Sequence, residues 1–254
     1  MPLLEIEGLS HYFGGLCAIS NLSITLPGHQ LLGVIGPNGS GKTTLFNLIT
    51  GIYRASAGNI RLNGQELVGK PPEAITRIGI ARTFQNIRLF KALSVLDNVR
   101  IACVGRVTCG PLHALLRTRR FLKEEQLITD QAMSLLGLFR LQGYAATPAG
   151  NLAYGLQRRL EIARALATDP VLLLLDEPGA GMNSSEIATL RQQIQWVAQE
   201  FALTIILIEH HMGLVMEVCQ RVVVLDFGAL IAQGTPQEVR NNPQVIEVYL
   251  GKGS

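Results

Sequence analysis

The chain has 254 residues, of which 48% are hydrophobic and only 16% are charged, and its formal net charge is +3. This length fits one large domain or two modest ones and buries a sizeable core without disulfides or metals. The composition excludes intrinsic disorder, and the small net charge does not by itself indicate a nucleic-acid-binding protein.

The hydropathy pattern does not indicate a membrane-spanning protein. Mean hydropathy is +0.27, but the longest fully apolar runs, Val171–Leu175 and Ile205–Ile208, are far shorter than the roughly 18 residues of a spanning helix. Residues 1–7 lack the basic region and apolar stretch of a secretory signal. The four cysteines form no C-x-x-C pair and no metal-ligand spacing. We therefore expect a cytosolic chain with reduced thiols.

The first third of the chain predicts short strands and one helix. The predicted strands are Leu3–Glu7, Leu22–Leu26, Gln30–Ile35 and Asn59–Leu62. A glycine-rich stretch follows the third strand and leads into a predicted helix, Lys42–Thr50, which Gly51 ends.

The middle of the chain predicts helices only. Leu93–Val99 and Glu124–Leu138 carry apolar residues at helical spacing. The second of these predicted helices places on one face Leu127, Ile128, Ala132, Leu135 and Leu136. A Pro-Ala-Gly break at residues 148–150 precedes a further helix that runs to about Ala167. We interpret residues 91–159 as a helical insertion in an α/β core made of residues 1–90 and 160–254, within a single domain.

The last third alternates strands and helices. The predicted strands are Val171–Leu175, Thr204–Ile208 and Val222–Leu225. The first is continuously apolar, which is typical of a parallel sheet covered on both faces. Asn183 with Glu186, and Thr235 with Glu238, have the spacing of capping boxes at the starts of two helices. This alternation predicts a twisted, mostly parallel sheet.

Residues 36–43 match the phosphate-binding motif G-x-x-x-x-G-K-[ST], between a predicted strand and a predicted helix. Glycines let backbone N–H groups turn toward phosphates, and the positive end of the helix dipole faces the same anion. Lys42 would reach the β and γ phosphates, and Thr43 would offer its hydroxyl to Mg²⁺. The predicted nucleotide-binding residues here are Gly36, Pro37, Asn38, Gly39, Ser40, Gly41, Lys42, Thr43 and Thr44.

Two carboxylates, Asp176 and Glu177, follow a predicted buried strand. The carboxyl edge of a parallel sheet is where such folds bind ligands. Asp176 would hold Mg²⁺, directly or through water, and Glu177 would orient or deprotonate the attacking water. These features predict a nucleotide-hydrolysing protein and leave its class open among kinases, GTPases, motor proteins and others.

The class is indicated by Thr83-Phe84-Gln85, residues 151–159 and Ile208-Glu209-His210, in that order along the chain. This set resembles the ATP-binding cassette family over essentially the whole chain. The resemblance implies a RecA-like P-loop fold with an N-terminal antiparallel β subdomain and an inserted helical subdomain. It implies that Gln85 links Mg²⁺ and the water to the helical subdomain, and that His210 contacts the γ phosphate.

The resemblance also assigns residues that stack on adenine or act on a partner. Phe13 lies where the family stacks an aromatic ring on adenine, although the neighbouring Tyr12 could serve instead. Asn183 ends the loop that crosses to the partner subunit. The signature that acts on the nucleotide of a second subunit comprises Leu152, Ala153, Tyr154, Gly155 and Leu156.

Two positions depart from the usual family pattern. Ala153 replaces a serine whose hydroxyl would donate to the partner's γ phosphate, and Asn183 replaces an aspartate. A hydrogen bond to a charged group contributes about 1.5–3 kcal/mol, so the two ATP sites of a dimer need not be equal. The departures fit a heterodimer of two different ATPase subunits.

Residues 81–90, residues 151–164, Gly234-Thr235-Pro236 and Tyr249-Leu250-Gly251 resemble one branch of the family. It is the ATP-binding subunit of bacterial branched-chain or neutral amino acid importers. This resemblance implies ATP and Mg²⁺ as ligands, a second ATPase, two transmembrane permease subunits and an external, periplasmic solute-binding protein. It implies a peripheral position on the cytoplasmic face of the inner membrane and no nucleic-acid partner.

Several alternatives stay open. Urea importers and the ATPase of lipopolysaccharide export share much of this pattern. A soluble cassette protein acting on ribosomes or DNA would need a second cassette or long coiled coils, and a small-molecule kinase leaves Gln85, Gly155 and His210 unexplained. The basic stretch 100–123 could contact anionic lipid or simply be solvated. Residues 87–90 are expected to line the groove that receives a permease helix.

Overall fold

The computed structural model describes residues 2–103 and 118–250 of the chain, without the side chain of Leu250. The chain forms two compact units: Met1–Gln85 with Val171–Ser254, and Asn86–Pro170. We predicted the insertion at 91–159, and the second unit extends further at both ends. Its longer C-terminal boundary reflects the helix Tyr154–Leu166, which packs against the other helices of that unit.

An antiparallel sheet in the first unit has the strand order β2-β1-β4-β5. Its strands are β1 (Leu4–Phe13), β2 (Leu16–Leu26), β4 (Ala57–Leu62) and β5 (Gln65–Glu66). The first two are longer than predicted, because their ladder continues through register shifts as far as the pair Phe13 and Leu16. Polar residues at Ser10 and His11 interrupt the apolar pattern without ending the strand.

A six-stranded sheet in the same unit has the order β10-β9-β3-β8-β7-β6. Its strands are β3 (Leu31–Ile35), β6 (Ile80–Arg82), β7 (Leu172–Asp176), β8 (Thr204–Ile208), β9 (Arg221–Asp226) and β10 (Ala229–Gly234). All neighbours are parallel except β9 and β10. Every residue of β3, β7 and β8 is buried. The predicted mostly parallel sheet is confirmed, and the carboxyl ends of these strands share one edge.

The helices of the first unit are α1 (Lys42–Ile49), α2 (Pro72–Ile78), Ser184–Glu200, Met212–Val218, Pro236–Arg240 and Pro243–Leu250. Both predicted capping boxes are confirmed, because Asn183 and Thr235 each accept from the backbone N–H three residues on and each receive the reciprocal glutamate. Sequence analysis missed the short edge strand β6, strand β10 and the three short helices that start at residues 72, 212 and 243.

The second unit is helical, as predicted. Its helices are α3 (Val95–Cys103), α4 (Arg119–Leu138) and α5 (Tyr154–Leu166), with 3-10 turns at Gln142–Tyr144 and Ala149–Asn151. The apolar face expected for α4 is only partly right. Ala132 and Leu136 are buried, whereas Leu127 is 59% exposed, because the first turns of this long helix carry charged residues around an open face.

The described part of the chain contains no helix long and apolar enough to cross a membrane. Most of the basic stretch 100–123, including Arg106 and Arg117, lies outside the described residues. Of the described part of that stretch, Arg100 forms salt bridges with Asp97 and Glu125. Its charge is therefore partly neutralised within the chain.

Candidate functional site

The phosphate-binding loop leaves the carboxyl end of β3 and enters α1 with glycine at the tightest points. Gly36 and Gly41 have φ angles of 149° and 100°. A Cβ on Gly36 would collide with the carbonyl oxygen of Leu225, and one on Gly41 would lie 2.6 Å from the carbonyl oxygen of Ala18. Only glycine fits this backbone path. The predicted loop is therefore present, with α1 starting at Lys42.

Lys42 is buried inside the loop that it follows. Its Nζ donates to the carbonyl oxygens of Gly36 and Pro37, each at 2.8 Å. Burial lowers the pKa of the Lys42 ammonium, and the nearby carboxylates of Glu177 and Asp176 oppose that shift. A buried cation whose acceptors are neutral carbonyls is an attractive partner for an anion.

Ser40 provides an independent test of whether the loop fits a phosphate. Its Oγ is buried and has no hydrogen-bond partner among the residues that the structure describes. A buried polar atom without a partner is costly. A phosphate oxygen would supply that missing partner and would also meet the ammonium of Lys42, so the donor set fits a nucleotide triphosphate.

The residues predicted to hold Mg²⁺ carry oxygen atoms, which this ion prefers. Thr43 lies exposed in the first turn of α1, and Asp176 ends β7 with 4% exposure. Residues 2–103 and 118–250 hold no cluster of three or more His, Cys, Asp or Glu side chains suited to a metal. Mg²⁺ typically binds through one or two carboxylates plus substrate phosphates and water, so these residues fit it with ATP present.

The three predicted catalytic residues meet around one carboxylate. Glu177 Oε2 accepts from Nε2 of Gln85 at 2.6 Å, and its Oε1 lies 2.7 Å from Nε2 of His210. The Glu177 backbone has φ of +45°, a conformation that non-glycine residues rarely adopt and that often marks functional sites. Its N–H donates to the carbonyl oxygen of Ile208, at the end of the neighbouring strand β8. The result is a carboxylate held from two sides.

Glu209 supports this cluster from beneath. It is 2% exposed. Its Oε1 accepts from the N–H of Gly179, and its Oε2 accepts from the N–H groups of His210 and His211. The structural role that we expected for Glu209 is confirmed, because it joins the loop after Glu177 to the residues that follow β8.

Sequence analysis assigned no role to Arg82, although the structure places it in the site. Its Nη2 donates to Oδ2 of Asp176 at 2.7 Å, and both side chains are buried. The signal that could have found it is a charged residue at the end of a short apolar strand, three positions before Gln85.

Phe13 and Tyr12, the alternatives for adenine stacking, both protrude at the β1–β2 turn, with 43% and 50% exposure. The ring of Phe13 packs edge-on against His11 and Tyr53, with centroids 4.6 and 5.2 Å away. Strand β2, which pairs with Phe13, reaches the phosphate loop at Ala18. Stacking by Phe13 stays a prediction.

The signature residues surround the start of α5. Leu152 is buried, Ala153 is the N-cap and forms no side-chain cap, and Tyr154 is 46% exposed. A Cβ on Gly155 would meet open space. The segment therefore presents backbone at a helix N-terminus, which suits an anion. Leu156 is partly buried.

Asn183 serves its own chain as a helix cap. Its Oδ1 accepts from the N–H groups of Ser185 and Glu186, at 3.0 and 3.1 Å. The residue is exposed. An aspartate would make the same cap with one more negative charge. Its role toward a partner subunit stays a prediction.

Comparisons with known proteins agree with this geometry. The ABC transporter family profile matches residues 19–180, and a profile described as branched-chain amino acid ATP-binding cassette transporter matches residues 229–254. The chain is 43% identical over 251 residues to the high-affinity branched-chain amino acid transport ATP-binding protein BraF of Pseudomonas aeruginosa, covering 99% of this chain and 98% of the relative. LivG of Escherichia coli K12 gives the same identity and coverage.

Solved structures give the same result for the fold. The ADP conformation of an ATP-binding cassette of an ABC transporter matches with a TM-score of 0.85 and 31% identity, over 99% of this chain and 100% of that one. A nucleotide-free ATP-binding cassette matches with a TM-score of 0.84, the same identity and the same coverage. The predicted P-loop fold is confirmed.

Proposed function

Because the chain belongs to the ATP-binding cassette transporter family, we propose that it is the ATP-hydrolysing subunit of a bacterial importer for branched-chain or neutral amino acids. The observation that carries the hydrolytic role is the Glu177 carboxylate, held between Gln85 and His210 on the sheet edge that bears the phosphate loop. The cargo is supported by full-length similarity to branched-chain amino acid transport ATP-binding proteins.

The phosphate loop and Lys42 bind the triphosphate, and Phe13 stacks on adenine. Lys42 exchanges its two carbonyl acceptors for phosphate oxygens, which are stronger partners because they are charged. Thr43, Gln85 and Asp176 hold Mg²⁺. When bound, this ion neutralises charge on the phosphates.

Glu177 orients the attacking water and accepts its proton. Its two oxygens contact Gln85 and His210, so both neighbours fix the direction of the carboxylate. His210 also reaches toward the γ phosphate, and the backbone contacts of Glu209 hold it in place. A positioned general base contributes typically ~10²–10⁴-fold to a rate.

A second ATPase subunit completes the site. Its signature covers the nucleotide bound here, while Leu152–Leu156 of this chain cover the nucleotide of that subunit. Asn183 lies in the loop that crosses between them. Because Ala153 and Asn183 both depart from the usual pattern, the two subunits are different chains with unequal sites. ATP binding joins the pair, and hydrolysis releases it.

The complete complex contains two transmembrane permeases, and this chain lies on their cytoplasmic face without spanning the membrane. A periplasmic solute-binding protein delivers the amino acid. No residue of this chain touches the cargo, and no nucleic acid takes part. Residues 87–90 receive a permease helix.

The test is uptake of radiolabelled leucine and alanine by cells that lack this chain, complemented with the wild type or with Glu177→Gln. We expect uptake with the wild type only, and co-purification of the wild type from membranes with two permeases and a second ATPase. Normal amino acid uptake in the deletion strain, with loss of urea uptake or of lipopolysaccharide export, would assign another cargo.

A further inference from the structure

Arg82 connects three elements of the nucleotide site. One guanidinium nitrogen, Nη2, donates to Asp176 at the end of β7 at 2.7 Å. The other, Nη1, donates to Oδ1 of Asn47 in α1 at 2.7 Å and lies 3.4 Å from the hydroxyl of Thr50, just beyond α1. Arg82 itself ends β6, the strand that leads to Gln85.

The surroundings of this arginine exclude solvent. The side chains of Arg82 and Asp176 are 6% and 5% exposed. The guanidinium also lies over the rings of Phe84 and Phe46, at 4.9 and 5.4 Å from their centroids. Buried ion pairs are expensive to desolvate and are often replaceable by apolar packing without loss of stability. A purely structural link between these elements would therefore not require charge.

We propose that Arg82 is a positioning residue for ATP hydrolysis, which holds the Asp176 carboxylate in one orientation relative to the phosphate-loop helix and so presents it to Mg²⁺. This inference rests on the proposed function. Arg82 acts through Asp176 and touches neither the nucleotide nor the water. Residues that orient a metal ligand from behind typically change metal affinity or activity by roughly 10–100-fold when they are replaced.

The role requires arginine because the planar guanidinium serves two acceptors at once. Its two terminal nitrogens contact Asp176 and Asn47 on different elements. Lysine keeps the charge but has a single nitrogen on a flexible stem. It would hold Asp176 without fixing the carboxylate against α1.

The first experiment measures binding of a fluorescent ATP analogue to the full chain, once with Mg²⁺ and once with EDTA. The ratio of the two affinities isolates the contribution of Mg²⁺. We expect Arg82→Met to lower this ratio by roughly 10–100-fold and Arg82→Lys to lower it less, while binding in EDTA stays unchanged. An equal loss in both conditions would show a merely structural role and overturn the proposal. If Arg82→Met does not fold, Arg82→Lys carries the same test.

A double-mutant cycle with Asp176→Asn tests whether Arg82 acts through that carboxylate. In the Asp176→Asn background, Arg82→Met should leave the Mg²⁺ ratio unchanged, and an undiminished further loss would contradict the proposal. Arg61→Met is the matched control, because Arg61 pairs with Glu7 and Glu66 on the exposed antiparallel sheet, and its ratio should equal that of the wild type. A wild type without Mg²⁺-dependent binding would instead overturn the proposed function.

Discussion

The acidic edge of the parallel sheet and the start of α5 treat their polar groups in opposite ways. At the acidic edge, Glu177, Asp176 and Glu209 each accept hydrogen bonds from partners in the same chain. At the start of α5, Ala153 offers no side-chain acceptor, and the space beside Gly155 is open. One region is assembled by its own chain, and the other displays backbone outward.

This difference explains why one chain carries only half of the chemistry. A reacting carboxylate must be held in a fixed direction, so its supports belong on the same rigid sheet. A helix N-terminus needs no such support to attract an anion. Its usefulness depends on which anion a partner brings. Changes at the acidic edge should therefore act within the chain, and changes at α5 should act mainly in the complex.

The largest effect is expected for Glu177→Gln, which would break the comparison if the contacts of Glu177 were only structural. The amide keeps the shape of the side chain but cannot accept a proton. ATP turnover by the complete complex should fall by roughly 10²–10⁴-fold, with nucleotide binding nearly unchanged. Glu200→Gln, an exposed glutamate at the end of its helix, is the control and should retain full turnover. Normal turnover by Glu177→Gln would refute the assignment.

A smaller effect is expected for Lys42→Met, which removes the buried cation of the phosphate loop. Hydrogen bonds to charged groups contribute about 1.5–3 kcal/mol, so nucleotide affinity should fall by roughly 10–150-fold. Titration calorimetry with ATP on the isolated chain measures this change. An affinity equal to that of the wild type would show that the loop binds phosphate without Lys42.

The same variant makes a prediction about pH. Burial lowers the pKa of Lys42 below its ordinary value of 10.5, so the folded chain releases this proton at a lower pH than the unfolded chain. Stability rises with pH wherever the unfolded state binds more protons. Without nucleotide, the free energy of unfolding of the wild type, relative to Lys42→Met, should therefore rise as the pH approaches 10.5 from below. A difference that falls over this interval would contradict the burial of a charged ammonium.

The same two regions show how much sequence could predict. The phosphate loop and the sheet edge were predictable because glycines, a lysine and apolar strands ending in acids have few other uses. The meeting of Gln85, Glu177 and His210 came only from a family resemblance, since nothing in their spacing, 92 and 33 residues apart, indicates contact. The positive φ of Glu177 has no local sequence signal.

Other features were missed because tertiary contacts create them. Strand β6 has three residues and exists because it pairs with β7. Arg82 resembled any charged residue near a turn until its partners on α1 and β7 were known. The exposure of Leu127 was wrongly predicted, because helical spacing defines a face without telling where along a long helix the neighbouring helix ends.

The smallest effect is expected for Ala153→Ser, which sharpens the comparison at the start of α5. Serine at an N-cap accepts from a backbone N–H of the first turn and stabilises a helix by about 0.5–2 kcal/mol relative to alanine. For a chain of this size, 1 kcal/mol raises Tm by roughly 2–4 °C. Thermal unfolding of the isolated chain should show this increase. Ala153→Val, which adds bulk without an acceptor, should not.

The two readouts of Ala153→Ser separate what the helix start does for its own chain from what it does for a partner. The cap forms in the isolated chain, so the gain in Tm needs no second subunit. A new hydroxyl can donate to a phosphate only when a partner brings its nucleotide, so a rise in ATP turnover should appear in the complete complex alone. A rise in turnover already in the isolated chain would place the effect within this chain and remove the contrast between the two regions.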